Sequence, residues 1–291
     1  QHAHQHGFDS IITASTGNAA ASLAGLCAWH CKKAVILAPA SAPPAKLAQI
    51  QQYGATLLPI NGSYDDAFDL SVQVASELGL YCRSTGINPV MGEGKKSTAL
   101  EIAEQCDWDV PDAVFVPVGD GCIIGGLHKG FSDLHHIGWI EKIPKLIAIQ
   151  AAGSSAIANA IDRDGELEAV KSDTIADSIS VDLPRDGIKA VRAVKQTGGF
   201  TLRVSDQSIL RGQHNLASRT GLFVEPASAA AWAGMQAAVS LGMLKDDRRV
   251  VVLATGTGLK DIKAAQSLLP VPEPVEPTID AISAILDGTQ E

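Results

Sequence analysis

Three short turns in the 291-residue chain carry residue types that hold a small polar or anionic ligand. Ser15-Thr16-Gly17-Asn18 follows the apolar run Ile11-Ile12-Thr13-Ala14 and leads into a stretch of small residues. Gly119-Asp120-Gly121-Cys122-Ile123 follows "DAVFVPV" and runs on to Gly125-Gly126. Thr255-Gly256-Thr257-Gly258 follows "RVVVLA" and leads to Leu259-Lys260-Asp261. Each reads as a strand, a glycine turn and a helix start. There, unpaired backbone N–H groups and the positive end of a helix dipole meet a phosphate or carboxylate. Alone each signal is weak, because glycine often ends a strand with no ligand nearby. Asp120 would repel a phosphate, so its side chain is expected to turn away and cap its own helix. The alternative is a loop that never meets phosphate.

Other candidates have plainer readings. Glu225, in "FVEPASAAA", is either an active-site group or a helix-entry acid that suits the macrodipole. His128, His135 and His136 read as helix-surface residues. Cys27-x-x-x-Cys31 lacks a second ligand pair, so no zinc site is expected. Cys122 reads as a small packing residue. His2, His4 and His6 alternate by two and do not align on one helix face. They read as a helix tail ending at Gly7 in the left-handed region. Among the lysines, Lys32 and Lys33 precede a strand, Lys46 lies on a surface-like helix, and Lys95 and Lys96 open a helix as anion contacts.

The elements that must position these turns alternate in a βαβ rhythm. Strand-like runs at 10–14, 33–38, 55–60 and 80–83 are separated by helical stretches at 17–30, 43–53 and 64–79. Longer units follow: helix 93–106, strand 112–118, helix 122–137 and strand 145–150. An irregular region then precedes helices at 187–197, 206–219 and 226–240 and strand 249–254. The pattern predicts an α/β fold with parallel or mixed sheets and helices on both faces. Residues 14–90 are expected to form a small mobile domain, with 1–13 and 91–268 forming a larger one. The tail 269–291, rich in proline, reads as a stiff linker with a short helix at its end.

Bulk properties narrow the partners. A formal net charge of -9 argues against a nucleic-acid groove or an anionic membrane. No apolar run is long enough to span a bilayer. Five scattered cysteines suit reduced thiols in the cytoplasm.

Taken in order, "ASTGNAAASLAG", "NPVMGEGKKSTALEI", "VPVGDGCIIGGLHKGF", "IQAAGS", "GLFVEPASAAAWAG" and "VVVLATGTGLKD" resemble threonine synthase and its relatives. Those are pyridoxal-phosphate enzymes of the tryptophan synthase β-like fold, and the resemblance runs from about Ser10 to Asp261. It implies two lobes, the cofactor pyridoxal 5′-phosphate, a small amino-acid substrate, a homodimer and threonine formation from O-phosphohomoserine. By the same resemblance Asn18 contacts the cofactor's phenolic oxygen and Gly119, Asp120, Gly121, Cys122 and Ile123 form its phosphate loop. Thr255 stands against the pyridine nitrogen, a hydroxyl that does not hold the ring protonated. Ser15, Thr16 and Ala19 hold the substrate carboxylate, and Lys95 and Lys96 are anion contacts.

Two departures bear on chemistry. The family's lysine, which bonds the cofactor covalently, is expected on a helix just ahead of the first strand. Gln1–Gly7 resembles the end of that helix, so the lysine is expected to lie outside this chain, leaving cofactor binding weak and reversible. Threonine synthases also resemble Asn-Pro-x-Arg where this chain reads Asn88-Pro89-Val90-Met91. A methionine makes no charge-assisted hydrogen bond to phosphate, which leaves open serine or threonine dehydration, β-replacement, or binding without turnover.

Overall fold

The βαβ rhythm folds as two four-stranded parallel sheets, each sandwiched between helices. The computed structural model describes residues 1–15, 17–244, 249–269 and 271–288. The first lobe runs α1 (His2–Gln5), β1 (Ser10–Ala14), α2 (Asn18–Trp29), β2 (Lys33–Pro39), α3 (Pro44–Gln52), β3 (Thr56–Ile60), α4 (Tyr64–Leu78) and β4 (Tyr81–Cys82). Its strand order is β3-β2-β1-β4. The second lobe follows with α5 (Pro89–Gln105), β5 (Ala113–Pro117), α6 (Cys122–His136), β6 (Lys145–Ala151), α7 (Ala156–Asp162), α8 (Gly187–Gln196), β7 (Thr201–Val204), α9 (Asp206–Thr220), α10 (Pro226–Ser240) and β8 (Val250–Val252). Its order is β7-β6-β5-β8. Two short helices, α11 (Ile262–Gln266) and α12 (Ile279–Gly288), end the described chain.

Local chemistry sets these boundaries. Gly7 takes a φ of +75°, and Phe8 N–H reaches Ala3 O while Gly7 N–H reaches His4 O, so α1 closes in a left-handed cap. Ser63 and Asp66 form a reciprocal capping box that opens α4, and left-handed Gly79 closes it. Asn88 accepts from Val90 N–H ahead of Pro89, so α5 starts four residues before the expected 93.

Three other expectations change. β1 pairs along its length with β2, so residues 10–13 lie in the first sheet rather than with the larger domain. The region read as irregular contains α7, and the connection between the helices expected at 187–197 and 206–219 holds an edge strand, β7. The latter is only four residues long and half-buried, too short for a clear alternation. Lys46 is not on a surface: it is 3% exposed, with its ammonium 2.8 Å from Asp177 Oδ2. Replacing Lys46→Met keeps the apolar stem and removes the charge. Because Asp177 is about a third open to water, the expected loss is about 1–2 kcal/mol rather than that of a fully buried pair. A urea titration with unchanged slope checks it.

The apolar clusters respect the division. One set, built on Ile12, Leu37, Phe68, Leu23 and Ile36, stays within the first lobe. The other, built on Val114, Phe115, Leu127, Phe131 and Ile149, stays within the second. Across the cleft the ties are polar: Tyr64 to Asp120, Arg185 to Asp65, Lys46 to Asp177 and Asn18 to Glu225.

Candidate active site

The carboxyl ends of β1, β5 and β8 point into one cleft of about 1090 Å³ between the lobes. Ser15, Asn18 and Ala19 line it from the β1–α2 turn, residues 119–123 from the β5–α6 turn, and Thr255 from the turn after β8. Lys95 lines it from α5. These sequence-expected residues are therefore brought together, while Thr16 lies outside the described residues. Lys96 is a correction. One step along a helix turns a side chain by about 100°, and Lys96 instead meets Glu93 at 2.7 Å and Asp133 at 2.8 Å, away from the cleft.

The glycine turn is shaped as an anion cradle. Gly121 has a φ of +89° at the start of α6, and a Cβ there would lie 2.8 Å from both Ala190 Cβ and Asp186 O. A Cβ on Gly119 would lie 2.9 Å from Ile179 Cα. The backbone N–H groups of Gly119, Asp120 and Gly121 make no hydrogen bond among the described residues. The unpaired first turn of α6 adds more donors. Asp120 does turn away, but it does not cap its helix: it accepts from Tyr64 OH at 3.0 Å and from Arg185 N–H at 3.1 Å. Burial raises its pKa and those two bonds oppose the rise. Burial, then Asp120, likewise pushes the Tyr64 hydroxyl up. The Cys122 thiol is pushed far up by burial with Asp120 and Asp186 nearby, which suits packing and not nucleophilic attack.

Opposite the cradle, Glu225 resolves its two readings. Its side chain makes no capping bond to α10 and is 1% exposed. It accepts from Asn18 Nδ2 at 2.9 Å, Thr255 Oγ1 at 3.2 Å and Ser178 Oγ at 3.4 Å. Ser228 Oγ accepts the N–H groups of Thr255 and Gly256, which frees its own hydrogen for Thr255 Oγ1 at 2.8 Å. Thr255 thus has its hydrogen committed to Glu225 and only a lone pair left for a ligand. An acceptor at this position suits a ligand N–H, whereas a bare hydroxyl could either give or take the hydrogen bond. Asn18 Oδ1 is held by Lys260 Nζ at 2.5 Å, a contact sequence reasoning missed. The approach of Asn18 to Glu225 does leave a trace in Gly256, where a Cβ would lie 2.6 Å from both Asn18 Nδ2 and Glu225 Oε1.

Comparisons with known proteins fit this geometry. Residues 1–256 match the family described as Pyridoxal-phosphate dependent enzyme. The chain is 37% identical to threonine synthase of Methanocaldococcus jannaschii over 287 residues, 98% of this chain and 71% of that protein. It is 35% identical to threonine synthase of Mycobacterium bovis, over 94% of this chain and 74% of that one. In fold it resembles a fungal L-serine ammonia-lyase from Rhizomucor miehei, with a TM-score of 0.78, 18% identity, and coverage of 92% of this chain and 84% of that one. The processed threonine deaminase isoform 2 of Solanum lycopersicum gives a TM-score of 0.75 at 21% identity, over 90% of this chain and 69% of that one. A free N–H cradle, a half-buried asparagine and a hydroxyl on one cleft, carried on that fold, agree with the sequence match: the chain belongs to the pyridoxal-phosphate dependent enzyme family.

Proposed function

We propose that the cleft carries out a threonine synthase-type reaction, converting O-phosphohomoserine to threonine and phosphate. The observation that carries the reading is the convergence of Asn18, the 119–123 cradle and Thr255 on one side of the gap. In this reading the cradle's N–H groups hold the cofactor phosphate, Asn18 meets the phenolic oxygen and Thr255 the ring nitrogen, while Ser15 and Ala19 border the substrate carboxylate. Pyridoxal phosphate, when bound, supplies the electron sink for charge at the substrate's α-carbon. The chain's own contribution is to orient the ring, fix its protonation through Glu225 and Thr255, and keep bulk water from the reacting face. The same reading carries a cytoplasmic homodimer without a nucleic-acid partner, and a first lobe that moves to close the cleft.

Met91 lines the cleft and favours a second reading, dehydration of serine or threonine. Assays for phosphate plus threonine from O-phosphohomoserine, and for oxo acid plus ammonia from serine or threonine, separate the two. Cofactor binding has its own test. Residues 1–291 mixed with pyridoxal phosphate and reduced with borohydride are expected to give no stoichiometric pyridoxyl adduct. Peptide mass mapping checks it, and a single full adduct, for example at Lys260, would show that this chain supplies its own amine.

A further inference from the structure

Asn18 belongs to the first lobe, yet both ends of its side-chain amide are held by the second. Glu225 Oε1 accepts one Nδ2 hydrogen at 2.9 Å, and Lys260 Nζ donates to Oδ1 at 2.5 Å. The two gripping groups are carried on one unit. Val224 and Thr257 make an antiparallel bridge, Glu225 N–H reaches Gly256 O at 2.9 Å, and Gly258 N–H reaches Phe223 O at 3.0 Å. Gly258 packs flush on the Phe223 ring, where a Cβ would lie 2.5 Å away. Lys260 ends the short helical turn Gly258–Lys260, and Asp261 beside it caps α11 by accepting Ala264 N–H at 3.2 Å. The ammonium therefore stands on a turn braced at both ends.

This arrangement leaves Asn18 one orientation. An ammonium only donates and a carboxylate only accepts, so turning the amide over would set Nδ2 against Lys260 and Oδ1 against Glu225. Two favourable contacts would become two repulsive ones. The Nδ2 hydrogen not taken by Glu225 is left for the cleft, which Asn18 lines. Among the described residues, the other charges at this end of the cleft are Glu225 and, behind Ser178, Lys46 with Asp177.

We infer that Lys260 is a positioning residue: it locks Asn18 as a hydrogen-bond donor to the ligand and sets a positive charge one amide away from the atom that accepts. The inference rests on the pyridoxal-phosphate reading of the cleft, in which that atom is the phenolic oxygen. The cation then favours the ionised oxygen over the hydroxyl. Because Lys260 and Glu225 come from the opposite lobe, the oriented donor is assembled only while the lobes are together. An ammonium engaged in this way is not a nucleophile, in keeping with the absence of a stoichiometric adduct expected above.

The test compares wild type, Lys260→Met and Lys260→Arg, each checked for native circular dichroism. Absorbance of bound pyridoxal phosphate, followed against pH, reports the ionisation of its phenol. Lys260→Met is expected to move that titration about one unit toward alkaline pH, with Lys260→Arg regaining about half of the shift or more. An unmoved titration in Lys260→Met overturns the inference, and so does a stoichiometric borohydride-trapped adduct at Lys260. A second measurement needs no cofactor. The side-chain amide signal of Asn18, assigned in nitrogen–proton NMR spectra by its loss in Asn18→Ala, is expected to shift in Lys260→Met and to return toward its place in Lys260→Arg. A wild type that fails to bind the cofactor overturns the pyridoxal-phosphate reading, and the amide signal then decides for Lys260 alone. An unmoved signal overturns its grip on Asn18, and a moved one upholds it.

Discussion

Gly121→Ala is expected to lower stability by about 2–5 kcal/mol and to remove pyridoxal-phosphate binding. Two costs add at this position. A side chain held at a φ of +89° forces a conformation that costs an L-residue about 1–2 kcal/mol. The new Cβ would also lie 2.8 Å from Ala190 Cβ and Asp186 O, and overpacking of this kind costs about 1–3 kcal/mol. The relief available is a shift of the turn away from α8, which displaces the unpaired N–H groups of residues 119–121. Denaturant unfolding and cofactor absorbance measure the two effects independently. An alanine variant that binds cofactor like wild type would mean that these amides do not hold the phosphate.

The second large effect is expected from Glu225→Ala. The carboxyl group accepts from Asn18, Thr255 and Ser178 in a place 1% exposed, so truncation leaves three donors without an acceptor. Each unmet buried donor costs about 1–3 kcal/mol, less where the cleft admits water, so a total near 2–4 kcal/mol is expected. Thr255 then regains a free hydrogen and Asn18 a free amide, and bound cofactor should show an altered ring protonation in its nitrogen NMR shift. Glu225→Gln keeps the volume and part of the bonding, and is expected to be milder in stability while still moving that shift. Equal stability and an unmoved shift in both variants would return Glu225 to the role of a helix-entry acid.

The alternation of strands and helices was legible because periodicity and helix stops agree locally, as at the left-handed glycines 7 and 79, whereas the Asn88–Pro89 start of α5 went unread. The three turns were legible as strand–glycine–helix junctions, and it was their combination in order, not any one of them, that pointed to a ligand. What escaped is set by partners distant in sequence. Lys46 has the surroundings of a surface lysine until Asp177 arrives from the other lobe. Lys95 and Lys96 are indistinguishable by type, and only the packing of α5 on α6 decides which one enters the cleft. Glu225 carries no local sign that its carboxyl will turn from its own helix to residues 207 and 30 positions away.

Among the described residues the apolar clusters end on either side of the cleft, and what bridges it is mainly polar, with the Arg185 guanidinium also lying over the Phe68 ring. Opening the gap would therefore bring into water mainly groups that water solvates well, with little hydrocarbon newly exposed. Such a motion carries almost no heat-capacity change, so its equilibrium should vary weakly with temperature. It should respond instead to ionic strength, because salt weakens Arg185–Asp65 and Lys46–Asp177 as they part. If the first lobe moves as proposed, the frequency of opening would be set by the electrolyte around the protein, while the interior of each lobe would keep its packing.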